Sequence, residues 1–154
     1  MKLWVLLAAL VALPALAGSI SPREGWEIHA TSLSHAELVE RLKSAVKAEG
    51  LITVTRAGPT KAAAARGIEI PDNLVVGVFN NDYAVRTLRL STAAMIEAPI
   101  RFYLTGEADG TATLSYKRPS HVFAPYYDEG GEGLREIAAE LDAAFARIAT
   151  EATQ

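Results

Sequence analysis

The sequence predicts an α+β domain: a mostly antiparallel sheet packed against helices, in the order β-α-β-(α)-β-(α)-β-β-α, with a long C-terminal helix. Three observations lead there. Ile100 to Thr105 and Thr111 to Lys117 alternate in character across Asp109-Gly110, a hairpin signal. Ser34 and Glu37 form a capping box ahead of an apolar stripe at helical spacing. Leu134, Ile137, Ala138, Leu141, Phe145 and Ile148 stripe a last helix of several turns.

The elements follow in chain order. Met1-Lys2 is a short positive start, and Leu3 to Leu13 is an unbroken apolar run. The run is too short to span a bilayer and has the length of a secretory h-region. Pro14 breaks it, and Ala15-Leu16-Ala17 is a small-x-small cleavage pattern. The expectation is a signal peptide over 1–17, cut after Ala17, and a periplasmic or secreted protein. Gly18 to Gly25 reads as a linker, and 26–152 as a single domain. Cleavage removes Lys2 and no acid, so the formal charge of −3 becomes −4. A mildly acidic domain is a poor partner for nucleic acid or for an anionic membrane surface. No cysteine is present, so disulfides, thiol catalysis and cysteine-metal sites are excluded.

Trp26 to Thr31 alternates, with Trp26, Ile28 and Ala30 on one side, as in a half-buried strand. Leu33 and Leu38 staple the first helix, whose stripe is Leu38, Leu42, Ala45 and Val46, and Gly50 ends it. Leu51 to Arg56 is β-branched and reads as a strand. Thr60 to Arg66 follows the Gly58-Pro59 turn as a short helix, and Gly67 to Asp72 is a loop. Leu74 to Phe79 is nearly all apolar, which predicts a strand buried on both faces. Asn80, Asn81 or Asp82 caps a helix through Leu90. Ser91 to Glu97 is another helical turn, stopped by Ala98-Pro99. In the hairpin, Ile100, Phe102 and Leu104 face one way and Arg101, Tyr103 and Thr105 the other. Ala112, Leu114 and Tyr116 point inward on the return strand. Arg118 to Gly133, with two prolines and several aromatics, reads as a long loop.

Fingerprints of common enzymes are missing. Gly58-Pro-Thr-Lys61 lacks the closing residues of a P-loop, and no dinucleotide, nucleophile-elbow or zinc-protease motif occurs. His29, His35 and His121 read as surface histidines rather than a metal set. Asp128, Glu129 and Glu132 lack calcium-loop spacing and suit the dipole at the start of the last helix. Neither a metal nor a cofactor is expected. Long loops often carry function, and Tyr116 to Tyr127 is aromatic and basic. Tyr116, His121, Phe123 and Tyr126 would rim a pocket between the sheet and the C-terminal helix. Arg56 or Arg101 would meet an anion there, and Asn80 is either a cap or a ligand contact.

An ordered set of short motifs adds to this. It comprises Gly77-Val-Phe-Asn80, Ala98-Pro99-Ile100, Asp109-Gly110 and Ser115-Tyr-Lys-Arg-Pro119, with the helix–Gly50–strand unit upstream. In this the chain resembles domain-of-unknown-function family 302, over nearly all of the expected mature sequence. The resemblance implies a TATA-binding-protein-like β-α-β4-α arrangement, a homodimer and no agreed activity. Pro99-Ile100 stands where many members have Pro-Cys, and Ala57-Gly58 where others carry Asp-His. Thiol or histidine chemistry of relatives is therefore not implied for this chain.

Three functional readings follow. The first is a non-enzymatic exported domain binding a small molecule or protein partner between sheet and C-terminal helix. The second is an acid–base enzyme using His121 with Tyr116 or Asp128. The third is a structural or assembly dimer without a small-molecule site.

Overall fold

A computed structural model describes residues 20–154, so the expected signal peptide and its cut lie outside the described residues. The elements are β1 (Trp26–Ala30), α1 (His35–Ala48), β2 (Ile52–Ala57), α2 (Thr60–Ala64), β3 (Asn73–Phe79), α3 (Asn81–Leu90), β4 (Ile100–Gly106), β5 (Ala112–Lys117), α4 (Pro119–Phe123) and α5 (Tyr127–Thr153). A 3-10 turn over Ala93–Glu97 precedes β4, and another over Ala124–Tyr126 joins α4 to α5. The strands form one antiparallel sheet in the order β1-β5-β4-β3-β2. The α+β class and the order of elements are as the sequence predicts.

Local chemistry explains the boundaries. Ser34 Oγ accepts from the Glu37 N–H at 3.3 Å, and the Glu37 carboxylate accepts from the Ser34 N–H at 3.0 Å. Two donors that the helix cannot satisfy internally are thereby paired. The Ser34 hydroxyl, which donates to Glu37 Oε2 at 2.7 Å, and then the Ser34 N–H hold the Glu37 carboxyl below its ordinary value. Of the three candidate caps of α3, Asn80 is the one used. Its Oδ1 accepts from the Asp82 N–H at 2.8 Å and the Tyr83 N–H at 3.4 Å. Its Nδ2 donates to the Gly50 carbonyl at 3.0 Å, tying α3 to the end of α1.

The register divides the sheet into two unlike faces. One carries Val76, Val78, Phe102, Leu104, Leu114 and Tyr116, all buried under α1 and α5. Leu38, Leu42, Ala45 and Val46 of α1 and Leu134, Ile137, Phe145 and Ile148 of α5 complete this core. Fully burying each valine, leucine, isoleucine or phenylalanine of this set contributes about 1.5–3 kcal/mol. The other face carries Trp26, Ile28, Tyr103 and Val75, which stay half-buried.

Two expectations are corrected. β3 is not buried on both faces: Val76 and Val78 enter the core, while Val75 and Asn73 stay half-exposed on the other side. A run of β-branched residues says that a strand is wanted, but not whether a second layer covers it. Nor is the segment after β5 a loop. Pro119 opens α4, the Ser120 N–H is satisfied by Asp142 Oδ1 at 2.8 Å, and α5 begins at Tyr127. Proline at a first helical position costs no hydrogen bond, so it starts this helix rather than excluding it. The helical path breaks locally at Gly131 (φ 57°, ψ −148°) before the striped part of α5.

Candidate functional site

The expected pocket between sheet and C-terminal helix is filled. Phe145 of α5 stacks on Phe102 with ring centroids 4.4 Å apart, and Tyr116 meets both rings at 5.3 and 5.5 Å. A gap of only about 40 Å³ remains nearby, lined by Val78, Phe79, Tyr83, Phe123, Leu141 and Phe145. Large aromatic side chains close this space because they interdigitate edge-to-face and offset-stacked.

A cleft of about 460 Å³ lies elsewhere, against the half-exposed face of the sheet. Trp26, Val75, Tyr103 and Val122 supply apolar surface; Arg101, Lys117, Glu97 and Asn73 supply the polar groups. The sheet register arranges them in rows. Trp26 pairs with Lys117 across β1 and β5, and Arg101 with Gly77 across β4 and β3. The β4–β5 register, Phe102↔Tyr116 and Tyr103↔Ser115, places Arg101 opposite Lys117 when continued by one pair. One step along the same face, Ile28, Ser115, Tyr103 and Val75 form the next row.

Several contacts fix these side chains. Lys117 Nζ lies 5.7 Å from the Trp26 ring centroid, and the Arg23 guanidinium carbon 5.2 Å from it. Asn73 Nδ2 donates to the Tyr103 hydroxyl oxygen. Tyr126 donates its hydroxyl to Glu97 Oε1 at 2.7 Å, and this bond raises the Tyr126 pKa above its ordinary value. Neither Arg101 nor Lys117 forms an ion pair among the described residues. Gly77 is required by close packing: a Cβ there would stand 2.2 Å from Thr55 Oγ1 and 2.8 Å from Pro99 Cγ.

The residues singled out from sequence are thus dispersed. Arg101 and Tyr116 border the cleft, and Tyr126 reaches it through Glu97. Arg56 pairs with Val76 in register and so sits on the helix-covered side. There it lines a separate groove of about 650 Å³ with His35, Lys61, Glu40 and Asp72. Asn80 is a helix cap. His121 is exposed, and its ring covers Gly25, where a Cβ would lie 2.2 Å from Cγ. Phe123 is a core side chain. His29 stacks on Tyr116 at 6.1 Å, and the buried Nε2 atoms of His29 and His35 have no hydrogen-bond partner among the described residues. Tyr116 is 3% exposed, and burial pushes its pKa up to about 12, away from the range useful for proton transfer near neutrality. No hydrogen bond joins it to His121 or Asp128 among the described residues.

Sequence reading did not assign Trp26, Tyr103, Lys117 or Glu97 to a site. Two signals were available: a tryptophan on the apolar side of an edge strand, and two cations that a hairpin register sets opposite one another.

The profile of the domain of unknown function DUF302 matches residues 27–152. The chain belongs to the DUF302 family. A crystal structure of an uncharacterized conserved DUF302 protein from Bacillus stearothermophilus is similar, with a TM-score of 0.74 at 20% identity. The match covers 86% of this chain and 100% of that one, and it shows the shared fold. No curated protein matches the chain. Within the DUF302 fold, the ordered motifs acquire positions. The Gly77-Val-Phe-Asn80 step holds both the Pro99 contact and the α3 cap. The Ser115-Tyr-Lys-Arg-Pro119 segment carries a cleft cation and starts α4.

Proposed function

We propose that this DUF302 protein is an exported, non-enzymatic binding domain that holds a small molecule on the half-exposed face of its sheet. The observation that carries the proposal is the cleft of about 460 Å³, where apolar and cationic side chains converge. Its size lies within the roughly 300–1,000 Å³ of small-molecule sites, and its mix of apolar surface with a few polar groups is typical of them. Export rests on the order of Lys2, apolar run, Pro14 and Ala15-Leu16-Ala17. Native mass spectrometry of the protein from its host's periplasm tests both parts. The expected species begins at Gly18 and retains a small molecule, which Trp26→Ala loses. A ligand that survives Trp26→Ala refutes the cleft, and an uncleaved N-terminus refutes export.

A second reading, a homodimer, is favoured by β2. All six of its residues are exposed, with Ile52 at 59% and Val54 at 45%. An uncovered edge with apolar side chains is a template for strand pairing. Light scattering after size exclusion reads the outcome directly: dimer mass is expected, and monomer mass at micromolar concentration for both the wild type and Val54→Lys removes the reading.

A further inference from the structure

We propose that the ligand of this cleft is a planar organic monoanion, an aromatic carboxylate, seated between Arg101 and Lys117. The inference rests on the cleft being a binding site, and it names what the site takes.

The first ground is electrostatic. The β4–β5 register, continued by one pair beyond Phe102↔Tyr116, sets Arg101 opposite Lys117, and both line the cleft. Like charges so placed destabilise a sheet. Proteins usually relieve this with a nearby carboxylate, yet neither side chain has an ion-pair partner among the described residues. Lys117 is moreover held against Trp26. A cation packed on an aromatic face is less free to swing away from its neighbour. The pair therefore has the form of an anion seat, with Arg101 offering a planar fork matched to a carboxylate.

The second ground is charge balance. Two cations and one carboxylate, Glu97, line the cleft, a net charge of one positive. Glu97 is kept at the rim by the Tyr126 hydroxyl. A monoanion neutralises this set, whereas a phosphate dianion would exceed it and meet repulsion from Glu97.

The third ground is shape and donor geometry. Tyr103 lies between Ser115 and Val75 on one row of the sheet, and Thr55 and Pro99 close the space over Gly77 beside Arg101. The Tyr103 hydroxyl oxygen already accepts from Asn73. Its own proton is then available to a ligand acceptor. A flat ring fits along Tyr103, Val75 and Val122, with its carboxylate towards the two cations.

The test uses the protein beginning at Gly18, in which Trp26 is the sole tryptophan. Trp26 emission is titrated with phenylacetate, phenylacetamide, 2-phenylethylammonium, cyclohexylacetate and phenyl phosphate. Phenylacetate is expected to bind at least tenfold more tightly than the amide, the amine, the alicyclic acid or the phosphate. Arg101→Gln should abolish the preference for phenylacetate over phenylacetamide while leaving the urea midpoint no lower than that of the parent. A response to the amide or amine equal to that of phenylacetate overturns the anion assignment and leaves the cleft standing. Equal binding of cyclohexylacetate overturns the planar assignment, and equal binding of phenyl phosphate the monoanion. No saturable change with any probe at millimolar concentration overturns the cleft itself.

Discussion

Replacing Arg101 should make this protein more stable. Continuing the β4–β5 register sets Arg101 opposite Lys117, and neither is ion-paired among the described residues. Directly opposed side chains on a sheet interact by roughly 0.2–1 kcal/mol, unfavourably when the charges are alike. Arg101→Gln removes the repulsion and should gain about 0.5 kcal/mol. Arg101→Glu replaces repulsion by attraction of similar size and should gain about 1 kcal/mol. Part of that is lost because the new carboxylate shares the cleft with Glu97. Urea unfolding followed by circular dichroism measures this. With a slope of about 1–3 kcal/mol per molar urea, a gain of about 1 kcal/mol moves the midpoint by roughly 0.3–1 M. The order at low salt should be Glu, then Gln, then Arg. At about 1 M salt the Debye length shrinks to about 3 Å, so the differences should contract. Wild type as stable as both variants at low salt, or a gain that salt leaves unchanged, refutes the electrostatic reasoning. The expected result would make the Arg101–Lys117 pair a cost the fold carries for another reason, as the proposed anion seat requires.

Three further outcomes follow from the packing and the caps. Phe145→Ala removes the ring stacked on Phe102 at 4.4 Å and should cost about 3–5 kcal/mol, read as a lowered urea midpoint; a cost below about 1 kcal/mol would mean that the core collapses onto the gap. Asn80→Ala loses both the α3 cap and the hydrogen bond to Gly50, and a decrease of about 1–2 kcal/mol is expected in the same assay, whereas Asn81→Ala should change little. Burial raises the Tyr116 pKa to about 12 from an unfolded value near 10, so its neutral form stabilises the fold. That stabilisation is complete below about pH 10 and is lost as pH rises towards 12. Between pH 9 and 12 the urea midpoint of Tyr116→Phe should therefore fall less than that of the wild type. Parallel curves would place the base sensitivity in Tyr83 and Tyr127, whose pKa values burial also raises.

Much of the fold is legible in short stretches of chain because its causes are short. The Ser34–Glu37 box, the α1 stripe, the Asp109-Gly110 hairpin and the inward set of β5 each depend on residues within a few positions of one another. Periodicity then separates strand from helix wherever one face is buried. The segment from Arg118 to Gly133 escapes this logic. Pro119 and Pro125 look like breakers in sequence, but each stands at the first turn of a short helical piece, where proline is tolerated. The candidate site escapes it more completely. Arg101 and Tyr116 were identifiable as chemistry-bearing residues, yet Arg56 was equally so, and only the register assigns Arg56 to the opposite side of the sheet.

The local pattern determined which residues form strands and helices, where α1 and α3 begin, and which side chains of the hairpin are apolar. Which face of the sheet receives the helices was decided only by tertiary packing. Alternation identifies two faces but gives neither a label, and on β1 the more apolar side, Trp26 with Ile28, is the one turned away from the helices. Whether space remains between sheet and helix was likewise decided by the rings of Phe102, Tyr116 and Phe145, brought together from three separate elements. The physical reason is range: hydrogen-bonded caps and turns act over three or four residues. The filling of a core, and the meeting of Trp26 on β1 with the Arg101–Lys117 hairpin pair, depend on contacts between elements far apart in the chain.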